Sequence, residues 1–173
     1  MSKYILLAAA LATPSAIHAT TYMTVEQAQA AMFPGETFHP AFQQLSPQQI
    51  GAIRQASGEA PLSKELKAWK TSKGEWFIVD QVVGKHEFIT FALALDPNGA
   101  VKAVEIMDYR ESYGSQVRDP RWRAQFTGKR AGQPLQLGRD VRNISGATLS
   151  SKHVTDGVRR LLATWAIVLA HAA

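Results

Sequence analysis

The spacing of apolar and polar positions changes period along the chain. Thr24–Met32 (TVEQAQAAM) has helical spacing, with Thr24 placed to cap it and Phe33-Pro34-Gly35 to stop it. Ser46 and Pro47 occupy the N-cap and first positions of a second helix, with Ile50 and Ile53 on one face and Gly58 and Pro61 at its end. Leu62–Thr71 reads as a helical turn or an irregular approach to a sheet. From Glu75 the period shortens. Glu75–Val83 (EWFIVDQVV), Glu87–Leu95 (EFITFALAL) and Ala100–Tyr109 (AVKAVEIMDY) are rich in β-branched and aromatic residues. Gly84-Lys85 separates the first two, and Asp96-Pro-Asn-Gly99 is a turn between the last two. Together they predict a three-strand antiparallel meander. Trp122–Phe126 predicts a helical turn and Gly128–Gly138 a loop. Ser150–Ala170 carries Val154, Val158, Leu161, Leu162, Trp165, Val168 and Leu169 at helical spacing, with Lys152, Arg159 and Arg160 on the other side. The expected fold class is α+β: an antiparallel sheet, N-terminal helices and a long C-terminal helix.

A length of 173 residues, 46% apolar and 19% charged, fits one globular domain with an extension. With no cysteine, disulfides, a thiol nucleophile, zinc–thiolate sites, lipid anchoring through a cysteine and c-type haem attachment are excluded. The five histidines show no HxH or HExxH pair, so no metal site is expected. Residues 1–19 read as a cleavable signal peptide: Lys3, the apolar run Tyr4–Ala12, then Pro14 and a cut after Ala19. The run is too short to span a bilayer, and the apolar end of the terminal helix (Leu161–Ala172) is short as well. The mature chain is therefore expected in a bacterial periplasm, without a transmembrane segment. Residues 20–72 form a helical N-terminal extension in this reading, and 73–173 the main domain.

Charge divides unevenly. Residues 1–100 hold seven Lys/Arg against eight Asp/Glu, and 101–173 hold twelve against six. The basic half points to a phosphate-bearing ligand or an acidic partner, or is ordinary solvated surface. The cations are dispersed and not interleaved with aromatics, and nucleic acid is a poor partner outside the cytoplasm.

Before the terminal helix stands Ile144-Ser-Gly-Ala-Thr-Leu-Ser-Ser151. Ser145, Gly146 and Ala147 are small enough for a bulky group to lie against the backbone, Thr148 offers a hydroxyl, and the helix start offers free N–H groups to an anion. Arg142 and Lys152 could add charge. On local physics alone the simpler reading is a Ser/Thr-rich cap with a glycine turn.

The string Ser145-Gly-Ala-Thr148 followed by Leu149-Ser150-Ser151 resembles the flavinylation motif of the FMN-binding domain family. That family includes the periplasmic flavin subunits of the sodium-pumping NADH:quinone reductase and the ion-pumping ferredoxin:NAD reductase. Lys85 before the second strand, the Asp108–Gly114 segment with Glu111, Ser112 and Gly114, and Arg121–Lys129 are similar to further parts of it. The resemblance covers about residues 80–165. It implies an FMN-binding-domain-like fold over 73–173 and FMN joined to Thr148 by a phosphoester. It also implies contacts from Ser145, Gly146, Ala147, Leu149, Ser150, Glu111, Ser112 and Gly114. An exported flavin transferase would supply the FMN from FAD. The chain would then be that enzyme's substrate and an electron carrier with no catalytic residues of its own. A membrane-bound donor and a periplasmic or membrane acceptor are the implied partners. Tyr109, Tyr113 and Trp122 are candidate neighbours of the flavin ring or ordinary packing residues, and His153 is a candidate near the phosphate or an exposed histidine. Two differences from the family pattern stand out. Arg142 occupies the position where the family has an acid, three before the motif serine, and a signal peptide replaces the pump subunits' membrane helix. The alternatives are a flavin-free binding module of the same fold and a small flavin reductase with its own substrate.

Overall fold

In the computed structural model, residues 20–171 are described; the predicted signal segment, 1–19, lies outside them. The strands are β1 (Thr20–Thr21), β2 (Phe38–Pro40), β3 (Gln43–Gln44), β4 (Glu65–Thr71), β5 (Trp76–Val83), β6 (Phe88–Leu95) and β7 (Val101–Tyr109). They build an antiparallel sheet in the order β1-β7-β6-β5-β4-β2, with β3 also paired to β4. The helices are α1 (Val25–Met32), α2 (Pro47–Ser57), a short α3 (Pro120–Arg123) and α4 (Thr148–Thr164), which runs on as a π-helical turn over Trp165–Leu169. The protein is α+β, with the predicted meander at its centre.

Local chemistry accounts for α1 and α2. Both start with a complete capping box, Thr24 with Gln27 and Ser46 with Gln49, and Gly58 ends α2 in the left-handed conformation. Trp122–Phe126 is helical as expected, α3 being followed by a 3₁₀ turn over Ala124–Phe126. The 62–71 segment departs from expectation. Its second half is β4, hydrogen-bonded to β5 in the register Ala68–Ile78 and Trp69–Phe77. The residues before 73 are therefore not only helical, because they supply strands to the sheet that the later residues build.

The sheet is covered on both faces, which explains why β6 is apolar without alternation. One face carries α4 and α2 over Ile78, Phe91, Leu93, Val104, Val154, Val158 and Leu161. The other carries α1 and the Phe33, Phe38 and Phe77 cluster with Ala92, Ala94 and Met107. Of the stripe on α4, Leu161 is buried while Trp165 is only partly so. Arg160, expected on the solvent side, is 4% exposed. Its guanidinium donates to the Asp80 carboxylate at 2.7 Å and to the Gln81 carbonyl at 2.8 Å.

Candidate functional site

The start of α4 is built unlike those of α1 and α2. Its N-cap is Ala147, which has no side chain to accept from the first turn. Gly146 takes φ +79°, a conformation that disfavours any residue with a Cβ, and the Ala147 N–H closes the turn onto the Ile144 carbonyl at 2.9 Å. The first N–H of α4 with a helical acceptor belongs to Ser151, bonded to the Ala147 carbonyl. Among the described residues, the N–H groups of Thr148, Leu149 and Ser150 have no protein acceptor. They carry the positive end of the helix dipole.

Thr148 is exposed, and its Oγ1 accepts from Asn143 Nδ2 at 3.0 Å. Ser150 turns the other way, buried, with its hydroxyl 2.8 Å from that of Tyr109. Tyr109 in turn donates to the Tyr113 carbonyl, which ties the chain after β7 to the helix start. Burial raises the pKa of the Tyr109 phenol, the nearby Glu111 charge adds to this, and the Ser150 hydrogen bond opposes it. The phenol therefore stays protonated at neutral pH.

Glu111 binds the same turn to the β5–β6 hairpin. Its Oε1 accepts from the backbone N–H of His86 at 2.6 Å and of Glu87 at 3.1 Å. Partial burial pushes its carboxyl pKa up, but the N–H groups of His86, Glu87 and Lys85 outweigh this and hold it below the ordinary carboxylate value. Glu111 is thus an ionised structural acceptor, suited to holding two loops together and unsuited to proton transfer at neutral pH.

Between these three segments lies an open cavity of about 510 Å³. Lys85 and His86 line it from the hairpin, Glu111, Ser112 and Tyr113 from the turn after β7, and Gly146–Ser150 from the helix start. The volume lies within the range of small-molecule sites. The free N–H groups, the Thr148 hydroxyl and Lys85 suit a phosphate-bearing ligand, and the apolar wall suits a flat organic group.

The family model of the FMN-binding domain matches residues 84–163. This segment is an FMN-binding domain. The match begins at Gly84, just before Lys85, and runs past Ser150, so every segment lining the cavity belongs to it. A flavin-binding role follows from this membership. No curated protein matches the chain.

The FMN-binding domain gathers Glu111, Ser112, Gly146, Ala147, Thr148, Leu149 and Ser150 around one cavity. Gly114 stands behind it, with φ +97°, at a point where a Cβ would meet the Tyr109 and Ser150 hydroxyls. Ser145 is exposed but not part of the lining. Arg142 and Lys152 do not reach it either: Arg142 lines a neighbouring groove with Arg121 and Gln125, and Lys152 pairs with Asp156 at 2.5 Å. His153 lines a separate cavity with Asp156 and Arg160. Of the three aromatic candidates, Tyr109 and Trp122 are buried, and Tyr113, 85% exposed, stands at the mouth. Three contributors escaped the sequence. Lys85 enters the sequence reading only as a point of resemblance, and His86 and Asn143 reach the site through turns whose geometry sequence spacing does not reveal.

Proposed function

We propose that this protein carries FMN through a phosphoester to Thr148 and works as a periplasmic electron carrier. The observation that carries the reading is the uncapped start of α4. Thr148 lines the cavity, with three backbone N–H groups at the helix start, its own among them, that have no protein acceptor. A phosphate attached at Oγ would lie where those groups neutralise it.

In the attachment step, the Thr148 oxygen attacks the FMN-side phosphorus of FAD on an exported flavin transferase. The phosphoanhydride bond breaks, AMP leaves, and the hydroxyl proton passes to a base of the transferase. Bound FMN supplies one- and two-electron redox chemistry. The chain's own residues bind and tune it: the helix start holds the phosphate, and Lys85 favours a negatively charged reduced form. A membrane-bound reductase is the donor in this reading, and a periplasmic or membrane protein the acceptor. The periplasmic assignment rests on the signal-like residues 1–19. Among the described residues no helix is long and apolar enough to cross a membrane.

Co-export of the protein with a flavin transferase tests the linkage. After denaturation, wild type should fluoresce in a gel and gain the mass of FMN less one water. Thr148→Ala should lose the signal and keep its fold, and Ser145→Ala should retain it. Fluorescence that survives denaturation in Thr148→Ala would move the linkage to Ser150 or Ser151.

A further inference from the structure

The Thr148 hydroxyl is held by a chain of contacts that begins in the core. Trp122 is buried and packs edge-on against Phe126, ring centroids 5.2 Å apart. Its Nε1 donates to the Arg142 carbonyl at 2.7 Å. The Arg142 N–H donates to Gln125 Oε1 at 2.9 Å, so the peptide groups on both sides of residue 142 are pinned. The next residue, Asn143, spends its amide on Thr148 Oγ1, 3.0 Å away. Asn143 is exposed, and this is a side chain to side chain bond across five positions, not a local turn bond to the backbone.

We propose that Asn143 is a positioning residue for the attachment of FMN to Thr148, a role that rests on the phosphoester reading above. An exposed threonine on the first turn of a helix has two accessible χ1 rotamers. The Asn143 N–H occupies one lone pair of Oγ1 and selects one rotamer. The second lone pair stays free to attack phosphorus, and the hydroxyl hydrogen stays free for the transferase base. The bonds formed and broken are those of the attachment step, and Asn143 exchanges no proton. The effect is one of orientation, so it falls on the rate of transfer within the complex and not on the docking of the two proteins.

The test is steady-state labelling of the full chain by a flavin transferase with FAD and a divalent cation, read as covalent flavin after denaturation. Asn143→Ala should lower kcat about two- to tenfold, the worth of one neutral hydrogen bond, with KM for the protein substrate unchanged. Asn143→Asp keeps the shape but has no hydrogen to give, and should be slowed at least as much. Both should unfold at the wild-type temperature. Wild-type kcat in Asn143→Ala, an effect confined to KM, or full activity in Asn143→Asp would overturn the positioning role and leave the Thr148 linkage standing. A wild type that takes no label under the same conditions overturns both.

Discussion

The hydroxyls of Tyr109 and Ser150 lie 2.8 Å apart, joining the end of β7 to the first turn of α4 across 41 positions of sequence. Tyr109 gives its own proton to the Tyr113 carbonyl, so Ser150 is the donor in this pair. The bond fixes the helix start, and with it Thr148, relative to the turn that carries Glu111 and Ser112. Tyr109→Phe should cost about 1–3 kcal/mol, because it leaves the buried Ser150 hydroxyl and the part-buried Tyr113 carbonyl without their partner. Gly114→Ala should cost at least about 1–2 kcal/mol from its left-handed backbone, and more from the approach of the new methyl to both hydroxyls. Denaturant unfolding measures each. A midpoint unchanged in both variants would mean that the link does not hold the site.

Glu111→Gln separates the charge of this carboxylate from its shape. The loss should be about 1 kcal/mol, the difference between charged and neutral hydrogen bonds to the hairpin. The folded carboxyl titrates below its ordinary value, so its contribution is complete above the unfolded value, about 4.3, and disappears as pH falls through the lower folded value. The stability gap between wild type and variant should therefore hold steady from pH 7 to about pH 5 and close in more acid solution. A gap that widens on acidification would contradict this sign.

Lys85 lines the cavity and has no ion-pair partner among the described residues. In flavin-loaded protein, Lys85→Gln should lower the midpoint potential by about 20–40 mV, equivalent to ~1–2 kcal/mol for a two-electron couple. Redox titration at low salt reads the shift, and added salt should shrink it. An unchanged potential would place the lysine away from the reduced flavin.

Asp80 meets the side chain of Arg160, which is 5% exposed. Asp80→Ala leaves that guanidinium buried with only the Gln81 carbonyl and a weakened environment, and should cost about 3 kcal/mol. Asp80 is itself partly exposed, which keeps the effect at the lower end for buried pairs. Thermal unfolding of the variant within 1 °C of wild type would show that water replaces the carboxylate without loss.

Features that depend on residues near in sequence were legible in advance. The N-caps of α1 and α2, the Asp96–Gly99 turn and the apolar stripe of α4 rest on contacts within a few positions, and the meander on consecutive strands joined by short turns. The Ser145–Thr148 string, read together with the turn after β7, identified two of the three walls of the cavity. Pairing and burial decided the rest. The segment Glu65–Thr71 is rich in lysine and carries no run of β-branched residues, and it becomes a strand because β5 offers an edge to pair with. Arg160 looks solvent-facing by helical period, and only the approach of β5 brings Asp80 to neutralise it. For Tyr109 and Trp122 the sequence leaves flavin neighbour and packing residue both open, and burial in the fold decides for packing. The contact of Asn143 with Thr148 depends on the backbone being pinned at residue 142 by Trp122 and Gln125. Periodicity and caps are set by local energies, whereas the partner of a charge, a hydroxyl or a strand edge is set by which distant segments the core brings together.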